Sequence, residues 1–245
     1  MDAMLKATAL AEDDHFWFRG LRRSAQIMLD ASLDGSRLSR VLDCGTGTGR
    51  NLDWLNTYGA AVGVELSPTG LAVARDRGRR VVRGTVAALP VASASVDLAT
   101  SFDVLYCLPD AVERAALSEM ARVLRPGGLA LINVAALDIL HGSHSTLTME
   151  IRRYTRERLR SRLESAGFSI ERMSFTNCST FPLTLAVRVV DRWSGRAAEA
   201  SDADLRVPAA PVNSLLNFIL TVEAGVMRYV SLPIGSSLLC LARKT

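Results

Sequence analysis

Residues 41–49 read Val-Leu-Asp-Cys-Gly-Thr-Gly-Thr-Gly, and no other stretch restricts the fold as strongly. Val41 and Leu42 suit a buried strand, Asp43 stands at its end, and Gly45, Gly47 and Gly49 follow at alternate positions. Glycines at that spacing let the backbone turn tightly and approach a ligand with no Cβ in the way. A helix opening at Arg50 would aim its first N–H groups at the turn, where they favour an anionic group. Several nucleotide-binding folds use such a turn, so alone it marks a kind of site and not a ligand.

The surrounding pattern alternates strand and helix. Apolar strands are expected at 39–44, 61–66, 80–83, 96–101 and 129–134. Helices are expected at 50–55, 69–77 and 110–124, the last stopped by Pro126-Gly127-Gly128. This alternation predicts an α/β fold with a doubly wound parallel sheet. A helix over 16–33 precedes it, with Leu21, Ala25, Met28 and Leu29 on one side. Beyond the fifth strand come a loop at 135–153, a helix at 155–166 and a strand at 169–175. Two apolar helices, 181–193 and 212–230, and a last strand, 237–243, complete the chain. The expected organisation is an N-terminal helical cap (1–38), a core (39–180), a helical insertion (181–235) and a final core strand (236–245).

Glu65 ends the second strand in Gly63-Val-Glu-Leu-Ser-Pro68, where a carboxylate can accept hydrogen bonds from two ribose hydroxyls. Nicotinamide enzymes use the same device. Here, however, the only lysines are Lys6 and Lys244, so the Tyr-x-x-x-Lys pair of a dehydrogenase is missing.

Composition narrows the partners. The formal net charge is +4 and the pI about 9.1, a mild excess carried almost wholly by arginine. The densest cluster, Arg152 to Arg162, is interleaved with Glu157 and Glu164 and reads as a solvated helix face, not a nucleic-acid surface. Cys44, Cys107, Cys178 and Cys240 form no metal-ligand spacing, and a reducing cytoplasm is the expected setting. Glu12-Asp13-Asp14 and the lack of an apolar run argue against a signal peptide. Asn217, Glu223 and Arg228 interrupt the apolar stretch Leu215–Leu232 and argue against a membrane span.

In order, Val41–Arg50, Gly63–Arg75, Gly84-Thr-Val-Ala-Ala-Leu-Pro90, Val96–Leu105 and Arg122–Gly128 resemble the successive motifs of class I S-adenosylmethionine (SAM)-dependent methyltransferases. The likeness is to the small-molecule branch called type 11. His15-Phe-Trp-Phe-Arg19 and Arg152-Arg-Tyr-Thr155 are similar, more loosely, to one subgroup. The resemblance implies a Rossmann-like seven-stranded sheet with a helical cap insertion, and S-adenosyl-L-methionine as cofactor. It implies cofactor contacts from Asp43, Gly45, Thr46, Gly47, Gly49, Glu65 and Leu66. Thr85 and Val86 would meet the adenine, with Ser101 and Phe102 on the fourth strand; Trp17 and Arg19 would fold over the cofactor, Arg19 pairing its carboxylate. Two positions depart from the family pattern. Thr85 replaces an Asp that usually accepts from the adenine amino group. Tyr106-Cys107 replaces a common Glu-His pair, which disfavours a metal-dependent mechanism.

Methyl transfer needs alignment of donor and acceptor more than covalent help. His144 is the first candidate for a base, although Ser145 stands where the subgroup often has an orienting Asp. Asp103 and Tyr106 follow the fourth strand and could orient a substrate; Tyr154 could do so or could simply pack. The apolar segment Phe181–Leu232 either lines a pocket for a small, partly apolar acceptor such as a secondary metabolite, or forms a homodimer interface. Two further readings stay open: SAM-dependent chemistry other than methyl transfer on the same fold, and a catalytically silent SAM-binding partner subunit.

Overall fold

A computed structural model describes residues 2–33, 35–140, 149–193 and 206–245. Strands β1 (Arg40–Cys44), β2 (Ala60–Glu65), β3 (Val81–Arg83), β4 (Val96–Phe102) and β5 (Leu124–Ala135) pair in parallel. β6 (Phe168–Thr176) and β7 (Ser237–Lys244) complete a seven-stranded sheet in the order β3-β2-β1-β4-β5-β7-β6, with β7 antiparallel to both neighbours. Order reverses beside β1, so the C-terminal ends of β1 and β4 border the crevice where doubly wound sheets place their ligands.

Both faces of the sheet are covered, which explains the near-continuous apolar runs in the strands. Along β7, Leu238, Cys240 and Ala242 enter one core while Leu239 and Leu241 enter the other. The first core is filled by α5 (Asp110–Val123) and α6 (Arg156–Ser165), the second by α2 (Phe16–Leu33) and α3 (Arg50–Leu55). α4 (Pro68–Asp76) begins where Ser67 accepts a hydrogen bond from the Gly70 N–H and Pro68 presets the first turn. The insertion contributes α7 (Phe181–Trp193) and α8 (Ala210–Met227), and α8 buries Leu220, Ala224 and Met227.

Three features differ from expectation. A helix α1 (Asp2–Ala11) precedes α2. Pro126-Gly127-Gly128 lies within β5: Leu124 already pairs with Val96, and the register then shifts to Leu98 opposite Leu129. The arginine cluster is not a solvated face at its start, because Glu113 of α5 is buried and needs compensation. Arg152 pairs with Glu113 at 3.1 Å and with Asp110 at 2.8 Å, Arg162 reaches Asp110 at 3.2 Å, and Arg153 pairs with Glu150 at 2.6 Å. Tyr154 is wholly buried, its hydroxyl donating to Glu113 Oε1 at 2.6 Å, so it packs α6 against α5. Glu113→Ala takes the acceptor from the buried Tyr154 hydroxyl and leaves Arg152 only Asp110 and the Leu108 carbonyl, and should cost about 3–5 kcal/mol. Urea unfolding measures this; a loss below about 1 kcal/mol, the level of a surface pair, would contradict it.

Candidate functional site

The turn after β1 is built as its glycines require. Gly45 and Gly47 have φ of +77° and +58°, in the left-handed region. A Cβ on Gly45 would come within 2.6 Å of Val104 Cγ2. Asp43 is buried beneath the turn, its Oδ2 accepting from Thr46 Oγ1 at 2.7 Å and its Oδ1 from Thr100 Oγ1 at 2.6 Å. Burial raises its pKa to about 6 against these two hydrogen bonds. Glu65 accepts from the Gly47 N–H and the Ser67 N–H, both at 2.7 Å, and so ties the end of β2 to the turn. Each of its oxygens keeps acceptor capacity for a further donor.

At the end of β4 the backbone is strained. Asp103 has φ of +61°, and its N–H donates to the Asn133 carbonyl at 3.1 Å. Asn133 Nδ2 donates to Asp103 Oδ1 at 2.9 Å, and the Tyr106 side chain also bonds the carboxylate. Burial pushes the Asp103 pKa up to about 7, opposed by the Asn133 bond and helped by the nearby Glu150 charge. Burial, then the Asp103 charge, raises Tyr106 well above the ordinary phenol value and keeps it a donor. Asn133 is fully buried, and its Oδ1 has no hydrogen-bond partner among the described residues.

α1 covers the turn. Leu5 stands 3.4 Å from the place of a Gly47 Cβ, and Asp2 accepts from Ser67 Oγ at 3.2 Å. Glu12 follows, buried, accepting from Thr48 Oγ1 at 2.5 Å and pairing with Arg77 at 2.7 Å; burial, partly offset by these partners, raises its pKa. Beneath α1 and α2 lies an open cavity of about 200 Å³ between the turn and the end of β4.

Of the residues expected at the site, Trp17, Gly45, Thr46, Phe102, Asp103 and Tyr106 line this cavity. Asp43, Gly47, Gly49, Glu65 and Ser101 stand behind or beside it without reaching its wall, and Leu66 is exposed. Thr85 spends its hydroxyl on the Ala87 N–H at 3.3 Å, and Val86 packs against the first core. Arg19 is exposed and off the cavity. Arg22, nearly one helical turn on, lines it, donates to the Glu12 carbonyl at 2.6 Å, and has its pKa lowered to about 10 by burial. His144 and His141 lie outside the described residues. Leu5, Glu12, Arg22, Thr100 and Asn133 were not anticipated. A polar residue inside the apolar run Leu129–Ala135 was the one available signal, for Asn133. Among the described residues no three His, Cys, Asp or Glu side chains gather as a metal site.

A parallel sheet closed by one antiparallel strand, with a glycine turn after β1 and an acid after β2, defines a Rossmann-like cofactor-binding fold. Residues 42–132 match the family described as a methyltransferase domain, and that segment is a class I SAM-dependent methyltransferase domain of type 11. The cosubstrate of such domains is S-adenosylmethionine. The chain is 38% identical over 125 residues to a malonyl-[acyl-carrier protein] O-methyltransferase of Enterobacter lignolyticus, covering 49% of this chain and 47% of that protein. It is 31% identical over 164 residues to a protein of Mycolicibacterium smegmatis described as a probable S-adenosylmethionine-dependent methyltransferase, covering 65% of this chain and 62% of that protein. A 101-residue segment is 37% identical to the mouse tRNA (carboxymethyluridine(34)-5-O)-methyltransferase ALKBH8, covering 41% of this chain and 15% of that one. The chain thus spans about half to six tenths of the length of the first two relatives. Among solved structures, the methyltransferase complexed with the Haloferax volcanii Trm112 activator superposes with a TM-score of 0.62 at 24% identity, over 99% of this chain and 93% of that one. That likeness is one of fold.

The site's residues fit the cosubstrate by their donor and acceptor set: the Glu65 carboxylate, fixed by the Gly47 and Ser67 N–H groups, keeps acceptor capacity for ribose hydroxyls beside a turn that Gly45 and Gly47 hold in left-handed backbone. With α1 in place the cavity's 200 Å³ falls short of the roughly 300 Å³ at which small-molecule pockets begin.

Proposed function

We propose that the chain transfers a methyl group from SAM to a small, partly apolar acceptor by in-line displacement, with Asp103 taking the acceptor's proton. The observation that carries this reading is the Asp103 carboxylate, held by Asn133 and Tyr106 at the cavity wall, one side of which is the glycine turn. SAM supplies the methyl group on a sulfonium that needs no further activation. The chain's residues then bind, align and deprotonate. Glu65 receives the ribose hydroxyls, Asp43 organises the turn, and Arg22, in place of the exposed Arg19, is the cation within reach of the cosubstrate carboxylate. Because Leu5 covers Gly47, entry of the cosubstrate displaces α1. The acceptor follows from the walls that remain when α1 moves: Trp17, Phe18, Leu21 and Phe102 give a largely apolar surface that suits a metabolite better than a polymer. Relatives of the shared segment act on both kinds of acceptor, so this surface carries the choice.

Transfer from isotope-labelled SAM into a cell extract, fractionated afterwards into metabolites, protein and RNA, tests the reading. Label is expected in the metabolite fraction. Label confined to RNA or protein would overturn the acceptor class. SAM binding with no transfer at all would favour the silent subunit or the non-transferring enzyme. Glu65→Ala should weaken SAM binding by about 1.5–3 kcal/mol, the worth of hydrogen bonds to a charged group. Calorimetry giving a loss below about threefold, under 1 kcal/mol, would remove Glu65 from the ribose site.

A further inference from the structure

Helix α1 lies over the glycine turn and is fastened there at three points. At its start Asp2 accepts from Ser67 Oγ at 3.2 Å, while the Ser67 N–H is held by Glu65, the acid assigned to the ribose. In its middle Leu5 is buried, 3.4 Å from the position of a Gly47 Cβ. At its end Arg77 donates to the Ala9 carbonyl at 2.8 Å and pairs at 2.7 Å with Glu12, whose carboxylate also accepts from Thr48 Oγ1 of the turn. These contacts join α1 to the end of β2, to the turn and to the end of α4, along which it packs.

Over the turn, docked α1 presents an apolar side chain and not a donor or acceptor that a ribose or an amino-acid head could use. The space left beneath α1 and α2 is about 200 Å³, below the roughly 300 Å³ at which small-molecule pockets begin. Arg22, the cation assigned to the cosubstrate carboxylate, donates to the Glu12 carbonyl at 2.6 Å. Glu12 is 3% exposed, and a buried carboxylate parted from its partners is strongly destabilising. Glu12 therefore leaves Arg77 and Thr48 only by moving out toward water with the rest of the segment. The fastenings form and break as a set, which gives α1 two states, docked and lifted.

We propose that α1 is an autoinhibitory cover: docked, it closes the glycine turn, and S-adenosylmethionine binds only when it lifts. The proposal rests on the assignment of the turn to that cosubstrate. Because cover and cosubstrate compete, the apparent dissociation constant is the intrinsic one divided by the fraction of molecules with α1 lifted. A change that loosens the cover therefore tightens binding. Loss of a lid that closes over its ligand would do the reverse. α1 has ten residues, and a detached helix of that length is marginal in water, so lifting also opens its backbone hydrogen bonds.

Hydrogen exchange and calorimetry on the full chain, with S-adenosylhomocysteine as the probe, test this. Saturating probe should speed exchange of the α1 amides about tenfold or more, while those of β1 and β4 exchange no faster. Glu12→Gln keeps the shape of the side chain and removes its charge, and should tighten binding about fivefold. Leu5→Ala, which uncovers Gly47, should tighten it as well. Slower or unchanged exchange of α1 in the complex overturns the cover, and so does weaker or equal binding by either variant. Should the wild type bind no probe, binding by Glu12→Gln supports the cover; no binding by either protein overturns the cover together with the assignment of the turn. Should the variants fail to fold, α1 exchange in the wild type decides alone.

Discussion

Gly45→Val is expected to abolish SAM binding while the sheet still forms. The position combines two constraints. Its φ of +77° is one that a β-branched residue adopts only at a cost of about 1–2 kcal/mol or more. Its missing Cβ faces Val104 at 2.6 Å, on the segment that leads from β4 into the cavity wall. A valine must therefore push the turn away from β4, into the space the cosubstrate takes, or unwind the turn. Either outcome removes the pairing of the Gly45 N–H with the Val64 carbonyl, which sets the turn's height above the sheet. The loss in affinity should exceed about 100-fold, near 2.7 kcal/mol. Gly78→Ala is the control. Gly78 has a similar φ of +70°, but nothing lies within 4 Å of its Cβ position, so it carries the backbone penalty without the collision. Equal loss of SAM binding in both variants, or full binding by Gly45→Val, would show that the turn is not the cosubstrate's cradle.

The strands of the first half were legible because each is a short apolar run ended by glycine, proline or an acid, and the sheet needs such runs on both faces. The start of β5 was not, because Pro126-Gly127-Gly128 suggests a turn ahead of the strand while Leu124 has already joined it through its pairing with Val96. The outer part of the site was legible for the same reason as the strands: Gly45, Thr46, Asp103 and Tyr106 follow strand ends directly. Its inner support was not. Thr100 serves Asp43 because the β1–β4 register sets the two opposite each other, and Asn133 reaches Asp103 from the next strand. Such partnerships are made by register, which no local pattern reports. α1 escaped notice because ten residues rich in alanine carry little periodic signal, and its place depends on where Leu5 lands. The choice between Arg19 and Arg22 is one of helical phase: both lie on α2, and the packing of Leu21 and Met28 on the protein decides which arginine turns toward the cavity.

Asp103→Asn should lower kcat by about 100- to 10,000-fold, the range of general-base assistance, with SAM affinity unchanged. The substitution is nearly isosteric. Asparagine tolerates the left-handed backbone at this position, and its Oδ1 can still accept from Asn133 Nδ2. What it removes is a proton acceptor with a pKa near 7, set by burial and by Glu150 against the bonds from Asn133 and Tyr106. Arg153, paired with Glu150, and the protonated Tyr106 and Cys107 complete the charged and titratable surroundings. In the wild type, activity should rise as pH passes through about 7 and Asp103 loses its proton; in the variant this limb should vanish. Stability gives a readout that needs no acceptor. A carboxyl whose folded pKa is raised from 3.8 to about 7 holds a proton in the folded state that the unfolded chain has released. Its contribution to stability is thus complete below the unfolded value and is lost as pH climbs toward 7. The substituted amide cannot ionise, so the variant should gain on the wild type between about pH 4 and pH 7 in unfolding experiments. A variant that keeps more than a tenth of the wild-type kcat would hand the proton to another group, with His144 the first to replace. A stability difference that stays constant with pH would show that Asp103 ionises as freely as a surface carboxylate.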